Sequence, residues 1–349
     1  MTVALAHGTT SPPARRGQAA TGTVHLIHRP PLQASHALDA AGGPGEENFT
    51  LVGATPLTHP LFNDGPGHFH DPQIAAEAVR EAGEFVGHRY FGVPDDRPGL
   101  FYRFALDLTD LAAWRTAPDL SRPVPLATHI TARPAGSALE VPRGLDLRLR
   151  VSVDGRPCAT GVAGLVFLTS ERYREHVEHS REARQVAPDT WNAPDGPDGP
   201  DGPGRPDGPP RPADSAETGR RTPENVVIGE PTEVSRGRIG TWLLPTRVSP
   251  VFTGEDGRFS GLHLLEALRQ TSLLAAGRVH GLDAARSTLG GCRVHFRGPA
   301  ERDQPVRCVA VTGRPGRDDE GRPTVAVTLT LTQRRRAVAE ARTSVVQDH

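Results

Sequence analysis

Pro250-Val251-Phe252, Gly257-Arg258-Phe259 and Glu266-Ala267-Leu268-Arg269 follow one another in the second half of the chain. Pro60-Leu61-Phe62, Gly67-His68-Phe69 and Glu77-Ala78-Val79-Arg80 follow in the same order in the first half. The offset is 190 residues at the prolines (60 to 250) and 189 at the glutamates (77 to 266), a slip of one residue. The match continues at Gly92 and Gly281, each where a helix after the glutamate would end, because glycine accepts the left-handed backbone that stops a helix. Upstream, Val24-His25-Leu26-Ile27-His28-Arg29-Pro30 lines up with Val226-Val227-Ile228-Gly229-Glu230-Pro231. Coincidences this numerous and in one order identify an internal duplication.

Each half reads alike. A strand is expected at 24–28 and 226–230, a second at 49–54 and 239–244, then a helix at 72–90 and 261–279. Asp71-Pro72 offers an N-cap followed by proline in the first helical turn. Extended segments follow at 101–108, 126–133, 146–153 and 160–169, with counterparts at 292–297, 306–312, 324–332 and 337–346. The run Thr324-Val325-Ala326-Val327-Thr328-Leu329-Thr330-Leu331-Thr332 alternates with the period of two that marks a half-buried strand. One long helix among five or six antiparallel strands is an α+β arrangement.

A chain of 349 residues is long enough for two cores. The expected division is a tail at 1–22, a first domain at 23–187, a linker at 188–224 and a second domain at 225–349. Pro194-Asp195-Gly196-Pro197-Asp198-Gly199-Pro200-Asp201-Gly202 lies inside that linker and has almost nothing apolar to bury against its ordering entropy. The net charge of −1 carries no basic block, so neither nucleic acid nor a membrane is indicated as a partner. No apolar run is long enough to span a bilayer and residues 1–22 lack a signal-peptide pattern, so the cytoplasm is the expected compartment. All 40 basic residues are arginine, which excludes lysine nucleophiles and leaves guanidinium groups suited to phosphate and carboxylate. Cys158, Cys292 and Cys308 have no metal-ligand or redox spacing and read as small hydrophobes.

From Leu262 to Gly277 the charged side chains are Glu266 and Arg269, set among leucines and alanines on nearly every side. Such a helix is buried. A desolvated carboxylate gains proton affinity suited to acid–base work, unless the i,i+3 arginine simply neutralises it. In the first helix, Glu77, Arg80, Glu81, Glu84 and His88 lie opposite an apolar stripe and read as a solvated face, but Glu77 and Arg80 occupy the positions of Glu266 and Arg269. His59, before Pro60, is a catalytic candidate or a plain loop histidine. His68-Phe69-His70-Asp71 gives only a weak metal signal, and no metal site is expected. Serine-hydrolase and nucleotide-binding fingerprints are absent.

Leu264-Leu265-Glu266-Ala267-Leu268-Arg269-Gln270 after a Pro-x-Phe loop, with its earlier echo at Asp71-Pro72 through Ala76-Glu77-Ala78-Val79-Arg80, resembles the A-factor synthase family. Its members build γ-butyrolactone signals in streptomycetes and have two hotdog domains, each a long helix wrapped by an antiparallel sheet. The resemblance covers roughly residues 23–185 and 222–346 and implies a tandem hotdog. It also implies transfer of a β-ketoacyl group from an acyl carrier protein to the hydroxyl of dihydroxyacetone phosphate, with no cofactor. Carried over by motif, Glu266 is the general base or hydrogen-bond anchor, Arg269 binds phosphate or orients Glu266, and Glu77 and Arg80 are their first-half equivalents. Backbone N–H groups near Gly261 are placed to stabilise a thioester oxyanion.

The second half departs from the family where histidines usually stand, holding Ser249 before the loop and Gly257-Arg258-Phe259-Ser260-Gly261 before the helix. The first half keeps His59. Two other readings stand beside acyl transfer: a hotdog dehydratase or thioesterase pairing His59 with Glu77 or Glu266, and a non-catalytic duplicate that binds a carrier protein or a lactone. Two fused hotdogs form an internal pseudo-dimer, so a monomer is expected as readily as a homodimer.

Overall fold

The computed structural model describes residues 23–28, 35–40, 47–55, 59–116, 123–135, 141–175, 210–235, 237–246, 248–253 and 257–349. The expected tail at 1–22 and the Pro-Asp-Gly tract lie outside the described residues. The chain forms two compact units, residues 1–63 with 70–170, and residues 64–69 with 171–349.

The first unit contains β1 (Thr23–His28), β2 (Ser35–Ala40), β3 (Asn48–Ala54), α1 (Gln73–Tyr90), β4 (Gly99–Leu108), β5 (Pro125–Ala135), β6 (Gly144–Val153) and β7 (Arg156–Phe167). Its strands lie in the order β1-β2-β3-β5-β6-β7-β4, and every paired neighbour is antiparallel. On β6, Leu145, Leu147, Leu149 and Val151 face the core while Arg148 and Arg150 face out, the alternation a pleated strand imposes. Helix α1 starts where the Asp71 side chain accepts from the Gln73 N–H, and ends at Phe91 before Gly92, whose φ of 65° is left-handed. At Gly87 a β-carbon would overlap the Phe167 ring, so glycine is what allows α1 to lie this close to β7.

The second unit contains β8 (Glu233–Ser235), β9 (Arg238–Trp242), α2 (Gly261–His280), β10 (Ser287–Phe296), β11 (Arg307–Arg317), β12 (Pro323–Gln333) and β13 (Arg336–Gln347). The order is β10-β13-β12-β11-β9-β8, again antiparallel. Setting β4-β7-β6-β5-β3 beside β10-β13-β12-β11-β9 gives one topology twice, with the helix entering after β3 and after β9. That repetition is the duplication in three dimensions. Helix α2 packs on β11, β12, β13 and β9. It begins at Ser260, whose hydroxyl accepts from the His263 N–H at 3.1 Å, and ends at Gly281 with φ 74°.

Three expectations are corrected. Residues 226–230 are not a ladder strand: Val226 and Val227 are buried, and the Val227 N–H goes to the Gln270 side chain at 2.9 Å. Isolated bridges, Ile228 to Leu243 and Gly229 to Pro212, tie that segment to other backbone. Strand β2 had no expected counterpart. Within the linker expected at 188–224, the described residues 210–224 are structured: Asp214 caps a single helical turn, Ser215–Thr218, and Thr218 and Arg220 are buried. Its proline- and glycine-rich composition hides a capped turn too short to show periodicity. Residues 64–69, just ahead of α1 in sequence, also belong to the second unit. There the Asp64 carboxylate accepts from the Thr222 N–H, the Thr222 hydroxyl and the Asn225 amide.

Candidate active site

Helix α2 carries Glu266 into the interior of the second unit, where it is fully buried. Its carboxylate accepts from Arg220 Nε and Nη2 at 2.8 and 2.7 Å, from Arg269 Nε and Nη2 at 2.9 and 2.8 Å, and from Gln270 Nε2 at 2.6 Å. A carboxylate offers about four lone-pair directions, so these donors saturate it. Arg269 also donates to the Thr218 carbonyl at 3.0 Å, and Gln270 to the Asn225 carbonyl at 2.6 Å, so the cluster fastens α2 to residues 218–227.

The expected rise in proton affinity at Glu266 is overturned. Burial alone would push its carboxyl up, but Arg220 and Arg269 outweigh burial and hold it well below the usual carboxylate range. The group stays ionised and is a weak base. Arg269 spends Nε and Nη2 on this carboxylate. Gly261, the first residue of α2, is exposed, with open space where a β-carbon would stand.

In the first unit, Glu77 is buried at 4% exposure, not on a solvated face, and Glu81 is buried with it. Arg80 donates to both Glu77 oxygens, from Nε at 2.8 Å and Nη2 at 2.5 Å. This pair repeats the i,i+3 geometry of Glu266 and Arg269, with two differences. Among the described residues Glu77 takes only the two Arg80 bonds, leaving about half its acceptor capacity open. The Arg80 side chain is 33% exposed, against 11% for Arg269.

His59 is buried, stacked on Phe62, and its Nδ1 accepts from the Leu61 and Phe62 N–H groups at 3.1 and 3.0 Å. The proton of the neutral ring is therefore on Nε2, and the ring holds the Pro60-Leu61-Phe62 turn. His68 Nε2 lies 2.9 Å from the Asp348 carboxylate, and the described residues contain no group of three metal-ligating side chains. Burial pushes the Cys308 thiol up to about 12 and the Cys158 thiol up to about 11, so neither is a thiolate nucleophile.

Sequence reasoning missed Arg220, Gln270 and His263. His263 lies one turn before Glu266, fully buried between the rings of Phe252 and Phe259, and burial together with the nearby Arg302 pushes it down to about 3. Arg258 donates to the Tyr173 hydroxyl at 2.6 Å. A histidine inside an apolar helix and a glutamine four residues after a buried glutamate were the available signals. Arg220 gave none, because nothing in a proline-rich segment marks a core residue. No helix among the described residues is long and apolar enough to cross a membrane.

Residues 15–169 and 203–346 match the A-factor biosynthesis hotdog domain. The 2-oxo-3-(phosphooxy)propyl 3-oxoalkanoate synthase of Streptomyces griseus is 29% identical over 292 residues, covering 82% of this chain and 83% of that protein. The synthase of the same name from Streptomyces coelicolor is 28% identical over 310 residues, covering 87% and 85%. Among solved structures, the 12:0-ACP thioesterase of Umbellularia californica aligns over 87% of this chain and 95% of its own, with a TM-score of 0.48 and 10% identity. With both halves matching one domain across most of the chain, this protein is a tandem hotdog that belongs to the A-factor biosynthesis family.

Proposed function

We propose that this protein transfers a 3-oxoacyl group from an acyl carrier protein thioester to the free hydroxyl of dihydroxyacetone phosphate. A 2-oxo-3-(phosphooxy)propyl 3-oxoalkanoate is the ester of those two components. The acceptor oxygen bonds to the thioester carbonyl carbon, the carbon–sulfur bond breaks, and the hydroxyl proton ends on the departing thiol.

The observation that carries the reading is the contrast between the two Glu–Arg pairs. Glu266 is saturated and strongly ionised, whereas Glu77 keeps acceptor capacity beside a guanidinium that reaches solvent. Glu77 therefore takes the hydroxyl proton and Arg80 meets the acceptor's phosphate with the N–H groups Glu77 leaves unused. The second half serves as scaffold. The pairing of a histidine base with a helix carboxylate, which a dehydratase or thioesterase would use, is disfavoured because the acceptor nitrogen of His59 is occupied by two backbone N–H groups.

The test is incubation with a 3-oxoacyl thioester and dihydroxyacetone phosphate, followed by mass spectrometry. Phosphorylated keto-ester is the expected product. Free 3-oxo acid formed at the same rate without the acceptor, an enoyl product, or no turnover at all would each defeat the proposal.

A further inference from the structure

Helix α2 carries a histidine where the fold accepts an aliphatic side chain. The offset of 189 residues that sets Glu266 on Glu77 also sets His263 on Ile74, and the two are buried at 0% and 2% exposure. Packing at this position therefore does not call for an imidazole. Neither ring nitrogen of His263 has a hydrogen-bond partner among the described residues, although both are sealed from solvent. The Phe252 carbonyl beside the ring takes the Ser260 hydroxyl instead, at 3.2 Å. A buried polar group without its hydrogen bonds destabilises a fold, and Ile74 shows that this fold does not need one here. A bound ligand would give the ring the partner it lacks.

The ring is aimed at the start of α2. Helical side chains lean toward the N-terminus, and this one lies against Phe252 and Phe259, in the segment that leads into the helix, with centroids 5.2 and 4.7 Å away. That end of the helix is electropositive. The Gly261 and Leu262 N–H groups have no acceptor among the described residues, and Gly261 is exposed with open space beside it. In the first unit the Asp71 carboxylate meets the same end of α1 by accepting from the Gln73 N–H; at α2 the neutral Ser260 hydroxyl takes that part. The charges that act on the His263 ring are Arg302 and Glu266. Glu266 is already held by Arg220 and Arg269, whereas Arg302 has no carboxylate partner among the described residues. Arg302 donates from Nε and Nη2 to the Pro245 carbonyl and stands over the Phe259 ring, 6.0 Å from its centroid.

We infer that the first turn of α2 binds a phosphate group, with His263 as the buried donor beneath it. The phosphate oxygens accept from the Gly261 and Leu262 N–H groups and from an Arg302 N–H that the Pro245 carbonyl leaves unused. The neutral imidazole adds one N–H without adding a charge to a buried place. A phosphate offers three strong acceptor oxygens to these donors, where a carboxylate offers two. The inference goes beyond the acyl-transfer reading, which gives the second half no ligand.

The test titrates the full chain, its histidine rings labelled with nitrogen-15, with inorganic phosphate at constant ionic strength, chloride serving as the control. The His263 ring signals are assigned by their loss in His263→Ile, a variant whose side chain the first unit already packs at Ile74. Those signals are expected to move saturably with phosphate and not with chloride. In Arg302→Met the midpoint of the movement rises about tenfold. Calorimetry is expected to count one phosphate fewer per chain in His263→Ile than in wild type. Glycerol 3-phosphate is run alongside: tighter binding than inorganic phosphate makes the ligand a phosphate monoester, weaker binding makes it the free ion, and either upholds the site. Ring signals that ignore phosphate, a midpoint unmoved by Arg302→Met, or a phosphate count unchanged in His263→Ile each overturn the inference. None of these results touches the acyl-transfer reading, which stands or falls on ester formation, and phosphate bound at Arg80 leaves the His263 signals where they are.

Discussion

Arg220 grips Glu266 through two parallel hydrogen bonds, at 2.8 and 2.7 Å, with both side chains sealed from solvent. Arg269 grips the same carboxylate at 2.9 and 2.8 Å, so one anion lies between two cations. Breaking a buried pair by removing one partner strands the other charge in a medium that cannot solvate it, at a cost of about 3–5 kcal/mol. Arg220→Met is expected to destabilise the protein by that amount, measured by urea unfolding. A loss below about 1 kcal/mol would show that the cluster is not holding residues 218–227 to α2.

The two glutamates should separate when each is replaced by its amide. Glu77→Gln keeps the shape but removes the proton acceptor, so kcat falls about 10²–10⁴-fold while the melting temperature barely moves. Glu266→Gln leaves Arg220 and Arg269 without their shared anion, so its first effect is on stability. Thermal melts run alongside initial rates distinguish the two, and a Glu77→Gln enzyme with wild-type kcat would remove Glu77 from the chemistry.

His59 is expected to tolerate asparagine and not alanine. The Asn side-chain oxygen sits at the same bond distance from the backbone as Nδ1 of histidine and can accept from the Leu61 and Phe62 N–H groups in its place. His59→Ala leaves those donors without that acceptor and costs about 1–3 kcal/mol. A stable His59→Asn protein without activity would instead make the ring itself catalytic.

The fold was legible because duplication wrote it twice. A pattern such as Glu77-Ala78-Val79-Arg80 is ambiguous alone, but its recurrence at Glu266-Ala267-Leu268-Arg269 aligned both helices and most of their strands. The site was only half legible. The pairing of each glutamate with an arginine three residues on follows from helical spacing, and both glutamates are buried. What spacing cannot reveal is a partner from far along the chain. Arg220 lies 46 residues before Glu266 and, together with Arg269, reverses the effect of burial on its acidity. The solvated face expected of α1 failed at Glu77 and Glu81 for a related reason, since a sheet wrapped around a helix covers more than its apolar stripe.

His263 should make the protein lose stability in mild acid. Its folded-state value is pushed down to about 3 by burial and Arg302, against about 6.5 for an unfolded histidine. Above pH 6.5 the ring is neutral in both states and nothing is lost. As the pH falls below 6.5 the unfolded chain takes up a proton that the folded chain refuses, so stability declines, by about 2 kcal/mol between pH 6.5 and pH 5. His70, also lowered by burial, adds in the same direction. Glu266 acts only below about pH 4.5, where the unfolded carboxyl protonates before the folded one. The window between pH 6.5 and 5 therefore reports the histidines. Replacing His263 with Phe, an aromatic ring suited to the slot between Phe252 and Phe259, is expected to flatten the stability profile there by up to about 1.4 kcal/mol per pH unit, whatever it does to stability at pH 7. Urea unfolding at half-unit steps of pH reads the slope directly, and a His263→Phe profile parallel to wild type would mean that the buried ring accepts its proton without resistance.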